Sequence, residues 1–137
     1  MPSEVKCRGH YVNIRDSNLV VLLNVLLECV PRDHDDIWFS RVRGQWESRI
    51  SGCGFGLYEL DLDELVTNLD EKQRMLHIFA DAKDAMQTHG QYVTKEWLNS
   101  LPYREGVYMK DQETSRFIGM LESIEALISR EGAPPSA

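Results

Sequence analysis

The sequence predicts a mainly α, single-domain protein: an irregular bundle of five or six helices with at most a small strand pair. Three observations carry that expectation. The stretch Leu19–Val30 is apolar almost throughout and closes on Pro31. Elsewhere apolar residues recur every three or four positions, the period of an amphipathic helix. A length of 137 residues fits one domain, and a chain of that size buries about 70% of its unfolded surface. We place the domain at residues 1–132 and a disordered tail at 133–137, where two prolines stand between small residues. With 42% hydrophobic and 27% charged residues, the composition excludes collagen-like, coiled-coil and low-complexity classes.

Residues 4–15 have a weak extended pattern. Val5, Cys7 and Tyr11 alternate with Lys6, Arg8 and His10, and Gly9 interrupts them. Asp16 or Ser17 then caps the first helix by accepting from an unpaired backbone N–H. That helix ends at Pro31, because the residue before a proline avoids the helical region. Apolar residues cover most of its circumference, so it is the central helix. At about 20 apolar residues for a membrane span, the Leu19–Val30 run is too short to be one. A second helix is expected over about residues 34–50. Asp33, Asp35 and Asp36 suit its positive N-terminal end, and Trp38, Val42, Trp46 and Ile50 form its buried stripe.

Three glycines between Gly52 and Gly56 end regular structure. Beyond them Tyr58, Leu60 and Leu62 alternate with acids, as a short strand would, while Asp61 is equally placed to cap a short helix carrying Leu65, Val66 and Leu69. Asp70-Glu71-Lys72-Gln73 has the spacing of a capping box, and Met75, Phe79, Ala82 and Met86 continue one helical face to a stop at Gly90. Thr94 caps a helix running through Leu101, with Val93 stapled onto Leu98. Tyr103–Lys110 connects to a last helix from near Asp111 to about Arg130, buried through Phe117, Leu121, Ile124 and Ile128 and flanked by Met120 and Leu127.

The motifs exclude more chemistry than they suggest. The glycine-rich segment has neither the spacing of a dinucleotide-binding loop nor the Lys-Ser/Thr of a P-loop. Asp33-His34-Asp35-Asp36 and Asp61-Leu62-Asp63-Glu64 lack the spacing of known metal loops, so no metal and no cofactor is expected. Cys7, Cys29 and Cys53 are odd in number and far apart, which fits free thiols in a soluble cytoplasmic protein. Cys53 in the glycine-rich turn is the one candidate nucleophile, and His10, His34, His77 and His89 are candidate bases. A reactive thiol needs such a base beside it. Trp38, Trp46 and Trp97 are expected in the core. The N-terminus has no basic segment followed by an apolar one, so no secretory signal is expected.

Charge placement is the strongest functional signal. Fifteen basic residues against twenty-two acidic ones give a net charge of −7, which disfavours direct binding to nucleic acid. Between Glu59 and Glu71 stand Glu59, Asp61, Asp63, Glu64, Asp70 and Glu71, with no Lys or Arg. Such a run can be a solvated face. It can equally be a docking surface for a basic partner, with Tyr58 as an aromatic anchor.

A small acidic helical domain without a catalytic signature resembles the immunity proteins of bacterial contact-dependent growth inhibition. The likeness is carried by residues 59–128: Asp70-Glu71-Lys72-Gln73-Arg74-Met75-Leu76, the Gly90 turn, Thr94-Lys95-Glu96-Trp97-Leu98-Asn99, and the helix from Phe117 to Ile128. The resemblance implies a non-enzymatic protein that binds a cognate toxin, often a nuclease, and blocks its active site. The expected partner-binding residues are Tyr58, Glu59, Asp61, Asp63, Glu64, Asp70 and Glu71, covering a basic cleft. Two alternatives stand beside this reading. One is a helical adaptor or regulatory subunit that takes a partner peptide in an apolar groove. The other is a small enzyme using Cys53. No membrane contact is expected.

Overall fold

The computed structural model describes residues 2–33, 35–52, 59–104 and 106–130. Strands β1 (Pro2–Cys7) and β2 (His10–Arg15) form an antiparallel hairpin. Arg8 and Gly9 both have positive φ, 52° and 78°. This is the two-residue turn whose twist matches that of its strands, so Gly9 is the turn and not an interruption. The register pairs Ser3 with Ile14, Val5 with Val12 and Cys7 with His10, and sets Tyr11 opposite Lys6. Cross-strand partners share a face. Val5, Cys7 and Ile14 therefore go inward, and Tyr11 is left 59% exposed.

Helix α1 (Asp16–Cys29) follows without a linker, and every residue from Leu19 to Leu27 is buried. Its start differs from the expected cap. Asp16 lies inside the first turn, Arg15 at the cap position makes no side-chain cap bond, and the buried Asp16 carboxylate accepts from the Ser3 hydroxyl. Asn24 is a second buried polar residue of α1. It donates to the carbonyls of Val20 and Tyr103, at 2.8 and 2.9 Å. At the far end the Arg43 guanidinium donates to the carbonyls of Leu27 and Val30, closing groups that a helix leaves open.

Helix α2 (Ile37–Gly52) begins later than the acid cluster suggests. Asp36 is the cap, accepting from the Phe39 N–H at 3.0 Å. Trp38, Val42, Trp46 and Ile50 are all buried, as their spacing requires. Strand β3 (Glu59–Asp61) pairs parallel with β1, giving the order β2-β1-β3. The strand reading of Asp61 holds, and the capping reading holds only in a shorter form, because Leu65 and Val66 lie beyond the turn and Leu69 opens the next helix. The residue ends the strand, and its carboxylate accepts from the Asp63 N–H to cap a 3-10 turn over Leu62–Glu64. Helix α3 (Leu69–Gln87) is capped by Asn68, not Asp70. The capping pair sits two residues earlier than predicted because the Asn68 amide oxygen reaches the Glu71 N–H at 2.9 Å.

Strand β4 (Tyr92–Val93), helix α4 (Lys95–Asn99), strand β5 (Gln112–Glu113) and helix α5 (Thr114–Ser129) complete the order. Thr94 caps α4 as expected, and Val93 and Leu98 are both buried. This helix stops short of Leu101, and α5 starts three residues after Asp111 because residues 112–113 pair with β4. Helices α3 and α5 pack together, α1 packs against α3, and the sheet covers α1 and α5. The Lys83 ammonium meets the Glu125 carboxylate at 2.6 Å across the α3–α5 seam. The chain is mainly helical. Its strands form a three-stranded sheet as well as a small pair, more than the sequence pattern suggested.

A core residue and an exposed residue of the same type should separate cleanly in urea unfolding. Leu23→Ala in α1 is expected to cost about 2–5 kcal/mol. Leu69→Ala, at a site that is 66% exposed, should change stability by less than about 0.5 kcal/mol.

Candidate functional site

The acids predicted to form one surface fall into two adjoining groups. Asp61, Asp63 and Glu64 occupy the 3-10 turn. Each is held locally: Asp61 by the Asp63 N–H, Asp63 by the Arg8 N–H at 2.6 Å, and Glu64 by the Gln45 side-chain amide at 2.6 Å. Asp70 and Glu71 stand in the first turn of α3. Tyr58 and the side chain of Glu59 lie outside the described residues, as does Cys53. The 59–71 stretch carries no cation of its own, yet the fold brings cations to it. Arg41 donates to the Glu64 carbonyl, and Arg74 pairs with Asp70 at 3.1 Å.

The second group joins acids from another part of the chain. The N-terminal ends of α2 and α3 meet, bringing Asp35 and Asp36 beside Asp70 and Glu71 around an open groove of about 660 Å³. Arg74 ties the two ends together. Its guanidinium contacts Asp36 at 2.7 Å and Asp70 at 3.1 Å. It also lies 5.1 Å from the Phe39 ring centroid and 5.9 Å from that of Trp38, within the range of a cation–π contact. The Trp38 indole N–H in turn donates to the Leu65 carbonyl at 2.7 Å.

Two large aliphatic residues crown this groove. Ile37 is 79% exposed and Leu69 66% exposed, each the first residue of its helix. Neither belongs to its helix's buried stripe. Ile37 precedes Trp38 by one position, about 100° of rotation, and Leu69 precedes Met75 by six, about 240° from it. The groove therefore combines two exposed aliphatic residues with four carboxylates. The sequence pattern offers Leu69 only as part of a possible short helix, and Asp35 and Asp36 as charge at a helix start. The available signal was an apolar residue out of phase with its stripe and flanked by acids.

Two of these carboxylates are fixed as anions. Asp36 is held below its ordinary value, first by the Phe39 N–H and then by the Arg74 guanidinium. Glu71 is held low by the Thr67 hydroxyl and backbone N–H, both donating to one oxygen. The described thiols go the other way. Burial pushes Cys7 up to about 11, with Asp63 adding to the effect, and burial also raises Cys29. Both stay protonated at neutral pH, which makes them poor nucleophiles.

No protein-family profile, curated protein or solved structure matches the chain. Among the described residues no group of three or more potential ligands could hold a metal ion, and no helix is long and apolar enough to cross a membrane.

The pH dependence of the groove has a definite sign. The folded-state value of Asp36 lies below its ordinary 3.8. Its contribution to stability is present above that value and is lost as pH falls through the folded one. Asp36→Asn keeps a capping side chain but removes the charge. It should lower the urea midpoint at neutral pH, and the difference from wild type should shrink steadily as the pH is taken below 3.8.

Proposed function

We propose that this protein binds a basic protein partner through the joined N-terminal ends of α2 and α3, and that binding neutralises the partner. In keeping with the immunity-protein resemblance, the partner is a toxin, and a nuclease fits best. One observation carries the proposal: Ile37 and Leu69 stand exposed in the same groove that Asp35, Asp36, Asp70 and Glu71 line. An apolar centre with a charged rim is the usual anatomy of a protein interface. A nuclease cleft built to hold phosphates presents the opposite charge, and complementary fields speed encounter. Asp63 and Glu64, both exposed, extend the negative field beyond the groove. Complexes of this kind bury about 1,600 Å² in total, so the groove is the centre of the contact and not its whole extent.

An adaptor that takes an amphipathic helix needs an apolar groove lined by aromatic or methionine side chains. Here the walls carry carboxylates, which favours a cationic partner. Arg74 is already paired within the face, so the partner's cations meet Asp35 and the outer oxygens of Asp70 and Glu71.

A photo-crosslinking residue at position 69, introduced in native cells, should capture a protein with a positive surface, and the same residue at position 123 on α5 should not. Purified, that protein should bind wild type with an association rate that falls as salt rises. Asp35→Lys with Asp70→Lys should slow association by about tenfold and flatten the salt dependence. Ile37→Ser with Leu69→Ser should chiefly speed dissociation. Co-expression of the wild type should suppress the partner's toxicity. Unchanged kinetics in both double variants would remove this face from the interface, and a captured partner harmless on its own would remove neutralisation.

A further inference from the structure

The opposite end of α3 holds a second cavity, about 450 Å³ in volume, between the last turns of α1 and α3 and the short helix α4. Met86 lies fifteen residues beyond Glu71, about 22 Å along the helix axis, so this cleft is remote from the proposed docking face. Its volume falls within the range of small-molecule sites, about 300–1,000 Å³. It is left open because three helix ends meet there and α4 is only five residues long. Trp97 and Leu101 are consequently half-buried, each with one side on the core and the other on the cavity.

The lining specifies a chemistry. Val25, Ala85, Met86, Trp97, Leu101 and Pro102 supply hydrocarbon and one aromatic ring. Among the lining residues Glu28 is the single carboxylate, and there is no Lys or Arg. Helix α3 ends here with no basic residue in its last turn, so the negative end of its dipole is not offset by a side chain. His89 stands edge-on to Trp97, with ring centroids 4.4 Å apart. Burial lowers its pKa from 6.5, so at neutral pH the imidazole is uncharged and does not repel a cation. Cys29, also in the lining, has its thiol pushed up by burial and then by Asp81 and Glu28, as expected where the local field is negative.

We propose that this cleft binds a small organic cation, an ammonium group joined to a flat apolar body, as in an arylalkylamine. The ammonium pairs with Glu28 at the mouth, and the hydrocarbon lies against Met86, Trp97 and Leu101.

The probe is 2-phenylethylamine, titrated into the full chain and followed by amide and indole N–H chemical shifts. Saturable shifts are expected at residues 28, 86 and 89 and at the Trp97 indole, with a dissociation constant in about the millimolar range. Glu28 is exposed, so Glu28→Gln leaves the fold intact and should weaken binding by about fivefold or more. The uncharged 2-phenylethanol should bind as weakly to wild type as the amine does to that variant, and phenylacetate more weakly still. Ala85→Phe fills the cavity and should abolish binding. Asp35→Lys with Asp70→Lys should leave it unchanged, which separates this site from the docking face. Shifts that do not saturate, equal binding of phenylacetate, or amine binding that Glu28→Gln leaves unweakened would each overturn the proposal. So would amine binding that persists in a folded Ala85→Phe protein.

Discussion

The fold depends on covering α1 from all sides. Nine consecutive residues, Leu19 to Leu27, are buried, so no face of this helix is left for solvent. An ordinary amphipathic helix needs one neighbour, whereas this one needs a surround. The sheet, α2, α3 and α5 all contact it. Asn24 is the exception that fits the rule. A buried amide is costly unless bonded, and its bonds to the Tyr103 backbone fix the connector that follows α4. Covering α1 thus also fixes where the connector, and with it the open cleft beside α4, must lie.

The helices that cover α1 have one buried stripe each, and this leaves their other faces to charge. Where α2 and α3 begin, the positive ends of two helix dipoles meet. That field favours carboxylates, and Asp35, Asp36, Asp70 and Glu71 collect there. Four acids in one place would repel each other, and Arg74 offsets them by bridging Asp36 and Asp70. The same guanidinium lies over Phe39 and Trp38. One cation therefore joins the proposed docking face to the aromatic residues beneath it.

The two proposed sites use opposite ends of one rod. Helix α3 carries Leu69 and the acids at its start, and Met86 at its finish, with His89 just beyond. Its Met75, Ile78, Phe79, Ala82 and Met86 face is wholly buried, and the Lys83–Glu125 pair holds it against α5. The macrodipole gives the ends different preferences: anionic side chains gather at the start, and the finish is suited to receive a cation.

Periodicity made the helices legible in the sequence. The stripes Trp38–Ile50, Met75–Met86 and Phe117–Ile128 are local patterns, and their burial follows from geometry within one helix. Caps were legible at α4 and, displaced by two residues, at α3, whereas α1 has no side-chain cap because its Asp16 is turned to the Ser3 hydroxyl. The three-stranded sheet was not legible, because β3 pairs with a strand more than fifty residues away and has only three residues of pattern. The charge run from Glu59 to Glu71 was visible as a count and not as a field. Arg74 meets Asp70 one helical turn away, but the Arg41 guanidinium reaches the Glu64 carbonyl only through folding. Sequence alone determined which faces are apolar and that the chain is acidic. Tertiary structure decided which acids stand together and which aliphatic residues stay outside, because both depend on how the ends of distant helices are brought into contact.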